Sequence, residues 1–249
     1  EDSFFIGSDV FYTFLIENKC WNKRLAQRTE DGYFSEAPSL MEAIREGYFP
    51  EDIRARFRKM LDYFGASPII VRSSSILEDG FGNAFAGKYD SVFCVNGGSA
   101  EDRLEEFESA VRRVYASTLN VSALEYRRQH HLEKRDEQMS LLVQRVSGSY
   151  FGRYFFPCAA GVGYSYSAWR FLPDMDPFAG MLRIVAGLGT KAVDRQEGDY
   201  PRMMSLDSPE AFVNGTVRDR HRYSQKYLDV LDIKENRFRG ISLDEALSV

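Results

Sequence analysis

The stretch that most limits what this chain can become is Pro68-Ile69-Ile70-Val71, set between Gly65 and Arg72-Ser73-Ser74-Ser75. Four apolar residues are too few for a buried helix. Bounded by a glycine stop and by hydroxyl residues, they read as a buried strand. Such a strand needs partners in a sheet and a cover over it. The preceding residues offer the cover. Ser8 can cap a helix whose Phe11, Phe14 and Leu15 share one face. Ser39-Leu-Met-Glu42 has the spacing of a capping box, with Pro38 just before it. Ile53, Phe57, Met60, Leu61 and Phe64 make a third apolar stripe, which Gly65 ends.

The rest of the chain keeps mixing the two kinds of element. Ser91-Val-Phe-Cys-Val95 reads as a strand, followed by the turn signal Asn96-Gly97-Gly98. Ser99-Ala-Glu-Asp102 opens a helix whose Leu104, Phe107, Val111 and Val114 face a core. Residues 122–137 are charged and read as helical. Residues 140–146, 154–160 and 182–186 read as strands, and 226–249 hold short apolar runs without a firm period. The expectation is one α/β or α+β domain over 1–249, with approximate lobes 1–138 and 139–249.

Composition removes several classes of function. Hydrophobic residues make up 44% of the 249, enough to build a core without disulfide or metal staples. Thirty-two Lys and Arg against 37 Asp and Glu leave a net charge of −5, which argues against nucleic acid or an anionic membrane as partner. No apolar run approaches the roughly 18–20 residues of a membrane span. The first residues have no positive segment of a secretion signal. Cys20, Cys94 and Cys158 are odd in number and far apart, which fits a reducing, cytoplasmic setting.

Two stretches carry candidate chemistry. At the end of the buried strand, Arg72 can fork onto phosphate or carboxylate, and Ser73, Ser74 and Ser75 add hydroxyl donors. Gly80, Gly82 and Gly87 allow backbone to come close to a ligand. The plainer alternative is Arg72 paired with Glu78 or Asp79 beside an ordinary hairpin. The second stretch is Ala186 to Arg202. A strand runs into Gly187-Leu-Gly189. There Thr190, Asp194, Glu197 and Asp199 offer oxygens to a hard cation, and Lys191, Arg195 and Arg202 offer charge to phosphate. Its alternative is a polar turn. His130 and His131, among Arg127, Arg128, Lys134 and Arg135, read as a solvated face. Trp169 reads as packing.

At this point the residues resemble a known family. V-R-S-S-S-I-L-E-D (71–79) and F-A-G-K-Y-D-S-V (85–92) are similar to the N-terminal nucleotide-binding domain of the pyruvate phosphate dikinase and phosphoenolpyruvate synthase family. S-F-F-I-G-S-D-V-F-Y-T-F-L (3–15), L-L-V-Q-R-V (141–146), A-A-G-V-G-Y-S (159–165) and G-L-G-T (187–190) follow in the family's order. The resemblance implies an ATP-grasp-like fold of two lobes that binds ATP and magnesium. It also implies phosphorylation of a histidine on a separate swivelling domain, with a third domain passing the phosphoryl group to pyruvate or another acceptor. Carried over by position, Arg72 is the catalytic arginine on the ATP phosphates, with Ser73 and Ser74 beside it. Ser91 is a nucleotide-contacting hydroxyl, and Gln144 and Arg145 line the adenine pocket. Gly87 belongs to a phosphate cover over 80–87, while Gly187, Gly189, Thr190 and Arg195 belong to the second block.

Three departures qualify the resemblance. The family's lysine-bearing glycine-rich segment would precede Ser3, so the chain reads as a fragment that begins after it. The family's metal-binding glutamate after G-L-G is Thr190 here, and its second ligand falls near Arg202, which leaves the metal ligands unknown. No phosphohistidine motif is present. A degenerate relative acting as a regulatory or interaction module is therefore the alternative to an enzyme domain.

Overall fold

A computed structural model describes residues 2–78, 87–167, 170, 174–193, 197–211 and 216–248. The chain divides into two compact units, Glu1–Val146 and Ser147–Val249.

In the first unit the elements run β1 (Ser3–Ile6), α1 (Ser8–Glu17), α2 (Trp21–Gln27), α3 (Gly32–Ser35), α4 (Ala37–Arg45), α5 (Glu51–Phe64), β2 (Ile69–Ser75), β3 (Ser91–Cys94), α6 (Ala100–Ser117), α7 (Val121–Gln129) and β4 (Met139–Arg145). The strands form one antiparallel sheet in the order β1-β4-β2-β3. Ile69, Val71, Leu141 and Val143 project from one face into a core built with Phe11, Phe14, Leu15, Phe57, Leu61, Phe64, Leu104, Phe107, Val111 and Val114. These are the apolar stripes that the helical spacing marks out. Each such side chain withdrawn from water contributes roughly 1.5–3 kcal/mol. The alternate residues of these strands, Ile70, Arg72, Leu142 and Gln144 among them, are less buried.

The ends of these elements have local causes. Gly65, at φ 62°, ends α5 where a side chain would be strained. Its carbonyl accepts from Asn96 Nδ2 at 2.7 Å and from Arg103 Nη1 at 2.7 Å, so the α5 end and the turn after β3 are tied together. Ser99 caps α6 with the full reciprocal box to Asp102. Elsewhere the sequence reading shifts. Gly7 rather than Ser8 precedes α1, and Ser39 lies inside α4, whose N-terminal flank is Glu36 with Pro38 in the first turn. The helix expected over 122–137 ends at Gln129, and His131 at φ 55° turns the chain out of it.

The second unit runs β5 (Ser149–Phe151), β6 (Tyr154–Phe156), β7 (Ala160–Tyr164), β8 (Met181–Val185), α8 (Thr190–Val193), β9 (Arg202–Ser205), α9 (Val217–Arg222), β10 (Tyr227–Asp232), β11 (Arg237–Ser242) and α10 (Leu243–Leu247). Two antiparallel sheets result, β11-β10-β6-β5 and β7-β8-β9. The expected strand 154–160 is thus two strands, in different sheets, with residues 157–159 between them. The late apolar runs become the β10–β11 hairpin, whose Leu228, Val230 and Ile241 pack with Tyr154 and Phe156. Among the described residues no helix is long and apolar enough to cross a membrane.

Candidate functional site

Sheet register decides which side chains of the first unit meet. Residues alternate between the two faces of a strand, so Ile70, Arg72 and Ser74 of β2 face away from Ile69 and Val71. Pairing then aligns two rungs on that face. One holds Ser3, Gln144, Ile70 and Phe93; the next holds Phe5, Leu142, Arg72 and Ser91. Ser74 and Ser140 are paired one step further along. These side chains lie outside the buried core, and Phe5 is 78% exposed. Strands about 4.8 Å apart and rungs about 7 Å apart make this a platform of roughly nucleotide size.

The platform has distinct parts. Phe5, Leu142, Ile70 and Phe93 give apolar surface. Arg72 and Ser91, directly paired across β2 and β3, give a guanidinium and a hydroxyl, and both residues are exposed. No carboxylate among the described residues forms an ion pair with Arg72; its Nη1 instead donates to Gln144 Oε1 at 3.5 Å. Gln144 Nε2 in turn donates to Ser3 Oγ at 3.2 Å. Glu78, which the sequence offered as a partner for Arg72, accepts from Ser73 Oγ at 2.8 Å and from Ser75 N at 3.2 Å. An always-charged fork beside a hydroxyl, on an apolar floor, suits a ligand with an anionic end and a flat apolar end.

Other residues singled out in the sequence lie elsewhere. Arg145 projects from the opposite face to Gln144. Its Nε donates to Asp2 Oδ2 at 2.9 Å, its Nη1 donates to Ser67 Oγ and Phe64 O, and its guanidinium lies over the Phe64 ring. Ser73 is held by Glu78, whereas Ser74 shares the face of Arg72. Gly87 has φ 76°, and among the described residues nothing lies within 4 Å of where its side chain would stand. Asp79, Gly80 and Gly82 of the glycine-rich stretch, with Trp169, Asp194 and Arg195, lie outside the described residues.

The second unit gathers its candidates around the turn from β8 into α8. Gly187, at φ 82°, comes so close to β10 that an added Cβ would meet Asp229 O at 2.7 Å. Leu188 N donates to the same carbonyl at 2.8 Å. The room at Gly187 is thus filled by the chain's own backbone. An added Cβ at Gly189 would meet Ala160 Cβ at 3.3 Å. The Thr190 hydroxyl donates to the Asp229 carboxylate. Lys191 is buried, with Nζ 2.7 Å from Asp199 Oδ2, 3.4 Å from Asp229 Oδ1 and 2.9 Å from Tyr227 O. Glu197 and Arg202 are exposed. Among the described residues no group of three His, Cys, Asp or Glu could hold a metal ion.

Sequence reasoning missed Phe5, Ile70, Phe93, Leu142 and Ser3 as platform residues. Alternation within 69–75 and 139–145 carried part of the signal; the strand order did not show in the sequence.

The chain is therefore an α+β protein whose first unit carries an exposed guanidinium and an exposed hydroxyl side by side on its sheet, outside the buried core. It belongs to the family described as the pyruvate phosphate dikinase AMP/ATP-binding domain, whose model matches residues 1–243. It is also similar to a phosphoenolpyruvate synthase of Deinococcus radiodurans, with 27% identity over 147 residues. That match takes in 56% of this chain and 18% of the relative, so the chain spans less than a fifth of that protein's length in the matched region.

Proposed function

We propose that this chain binds ATP on the face carrying Arg72, Ser91 and Gln144, as the nucleotide-binding, ATP-grasp-like domain of a dikinase-like phosphotransferase. A phosphoryl group from the bound ATP would go to a histidine on a separate domain and then, through an acceptor-binding domain, to phosphoenolpyruvate synthesis or a related acceptor. The observation that carries the reading is Arg72. It is an exposed guanidinium without an ion-pair partner among the described residues, set beside Ser91 above apolar side chains. Phosphoryl transfer asks mainly for positioning and charge neutralisation, and Arg72 offers both to a phosphate. The free cysteines fit a cytoplasmic setting.

Magnesium would reach this domain with the nucleotide phosphates. The described carboxylates of the second unit do not fit a dedicated metal site, because Asp199 and Asp229 are already engaged by Lys191 and Thr190. That engagement favours the second reading, a relative that has given up turnover and serves as a regulatory or interaction module.

Calorimetric titration with ATP and magnesium separates the two. Saturable binding, weakened about tenfold or more by Arg72→Ala, is expected for loss of a charge-assisted contact. No binding by the unaltered protein would overturn the nucleotide reading and leave the module.

A further inference from the structure

Gln144 sits between two polar side chains on neighbouring strands. On β1, Ser3 Oγ accepts from its Nε2 at 3.2 Å; on β2, Arg72 Nη1 donates to its Oε1 at 3.5 Å. The chemistry of the partners orients the amide. Arg72 has only donors, so an amide turned the other way would set its NH2 against a guanidinium. The oxygen therefore faces Arg72, and a three-strand line runs Ser3–Gln144–Arg72 across the platform.

We propose that Gln144 is a positioning residue whose amide aims Arg72 at an anion. This rests on the nucleotide reading above and adds to it a division of labour. Arg72 is long and exposed, so an untethered guanidinium would lose much rotamer freedom on meeting a phosphate. A partner that holds it beforehand lowers that loss. The hold uses one of the five N–H groups of the guanidinium and leaves four for the ligand. At 3.5 Å it is also weak enough to yield when an anion draws Arg72 in.

The test compares ATP, GTP and inorganic tripolyphosphate by calorimetry on the wild-type protein and on Gln144→Leu, Arg72→Ala and the double variant. Gln144→Leu is expected to weaken all three ligands by a common factor, roughly three- to tenfold, the worth of one hydrogen bond. In the Arg72→Ala background it should change nothing further, because the group it aims is gone. Ser3→Ala, which keeps the amide but frees its other end, should give a smaller loss shared by all three ligands. That variant carries the test if Gln144→Leu fails to fold. A loss confined to ATP would make Gln144 a base-reading residue and overturn the proposal, as would losses that multiply in the double variant. Wild-type protein that binds neither ATP nor tripolyphosphate would instead remove the nucleotide reading itself.

Discussion

Ser75 and Tyr89 share one carboxylate: the hydroxyl of Ser75 donates to Glu137 Oε1 and that of Tyr89 to Glu137 Oε2. Ser75 ends β2 and Tyr89 stands just before β3, so one buried side chain fixes both ends of the connection between two site-bearing strands. Arg127 Nη1 lies 3.7 Å from the same Oε2, and Arg24 Nη2 donates to the Glu137 backbone carbonyl at 2.9 Å. Burial, in the first place, pushes the Tyr89 phenol above its usual range, with Glu137 adding to the effect against Arg127.

Glu137→Leu should therefore be costly. It removes the anion that faces buried Arg127 and strands two hydroxyls, for which a loss of about 3–5 kcal/mol is expected. Tyr89→Phe leaves the ion pair in place and should cost about 1 kcal/mol. Urea unfolding of both variants measures this. Near-equal, small effects would mean that the network does not fix this connection.

Tyr115 makes the opposite case. It is wholly buried, its ring lies 4.8 Å from that of Phe11, and its hydroxyl has no hydrogen-bond partner among the described residues. Burial raises its pKa well beyond the normal tyrosine range. Tyr115→Phe keeps the ring contacts and removes a desolvated, unsatisfied group. Stability should rise by about 0.5–2 kcal/mol. A lower melting temperature for this variant would show that the hydroxyl is satisfied, for instance by an internal water.

Tyr12 sets a pH dependence. Burial first, then its hydrogen bond to Asp136, pushes its phenol up to about 12. An unfolded tyrosine ionises near 10. Because the folded value is the higher one, the associated stability is fully present below about pH 10 and is lost as pH rises through 12. Tyr12→Phe should be less stable than wild type at pH 8, and the gap should narrow by pH 11. Unfolding in urea at the two pH values decides it; a constant gap would contradict the linkage.

Much of the first unit could be read from the chain. The stripe Ile53, Phe57, Met60, Leu61 and Phe64 needs only helical spacing, and every member is buried in α5. The Ser99–Asp102 box is local chemistry and forms as expected. Failures came where longer-range pairing decides. Residues 154–160 look like one strand until Ala160 pairs with Val185 while Phe155 pairs with Leu231. At the site, Arg72, Ser91 and Gln144 could be named singly, but their meeting depends on β4 lying between β1 and β2, a crossover with no local mark. The contact between Glu137 and Tyr89 carried no signal, since a carboxylate and a phenol 48 residues apart show nothing until the fold joins them.

Lys191 supplies the last prediction. Its ammonium stands between the carboxylates of Asp199 and Asp229, all three residues being buried. Lys191→Met keeps the length of the side chain and removes its charge. Two buried carboxylates are then left facing each other without a cation, at an expected cost of about 3–5 kcal/mol. Adding Asp229→Asn to Lys191→Met should recover part of the loss at neutral pH, because a single buried charge then remains in place of two. Urea unfolding of the single and double variants at neutral pH measures both effects. If the double variant were less stable than the single one by the full cost of Asp229→Asn alone, Lys191 would not be acting as the counter-ion of Asp229, and the turn from β8 into α8 would owe its form to Gly187 and the Thr190 bond instead.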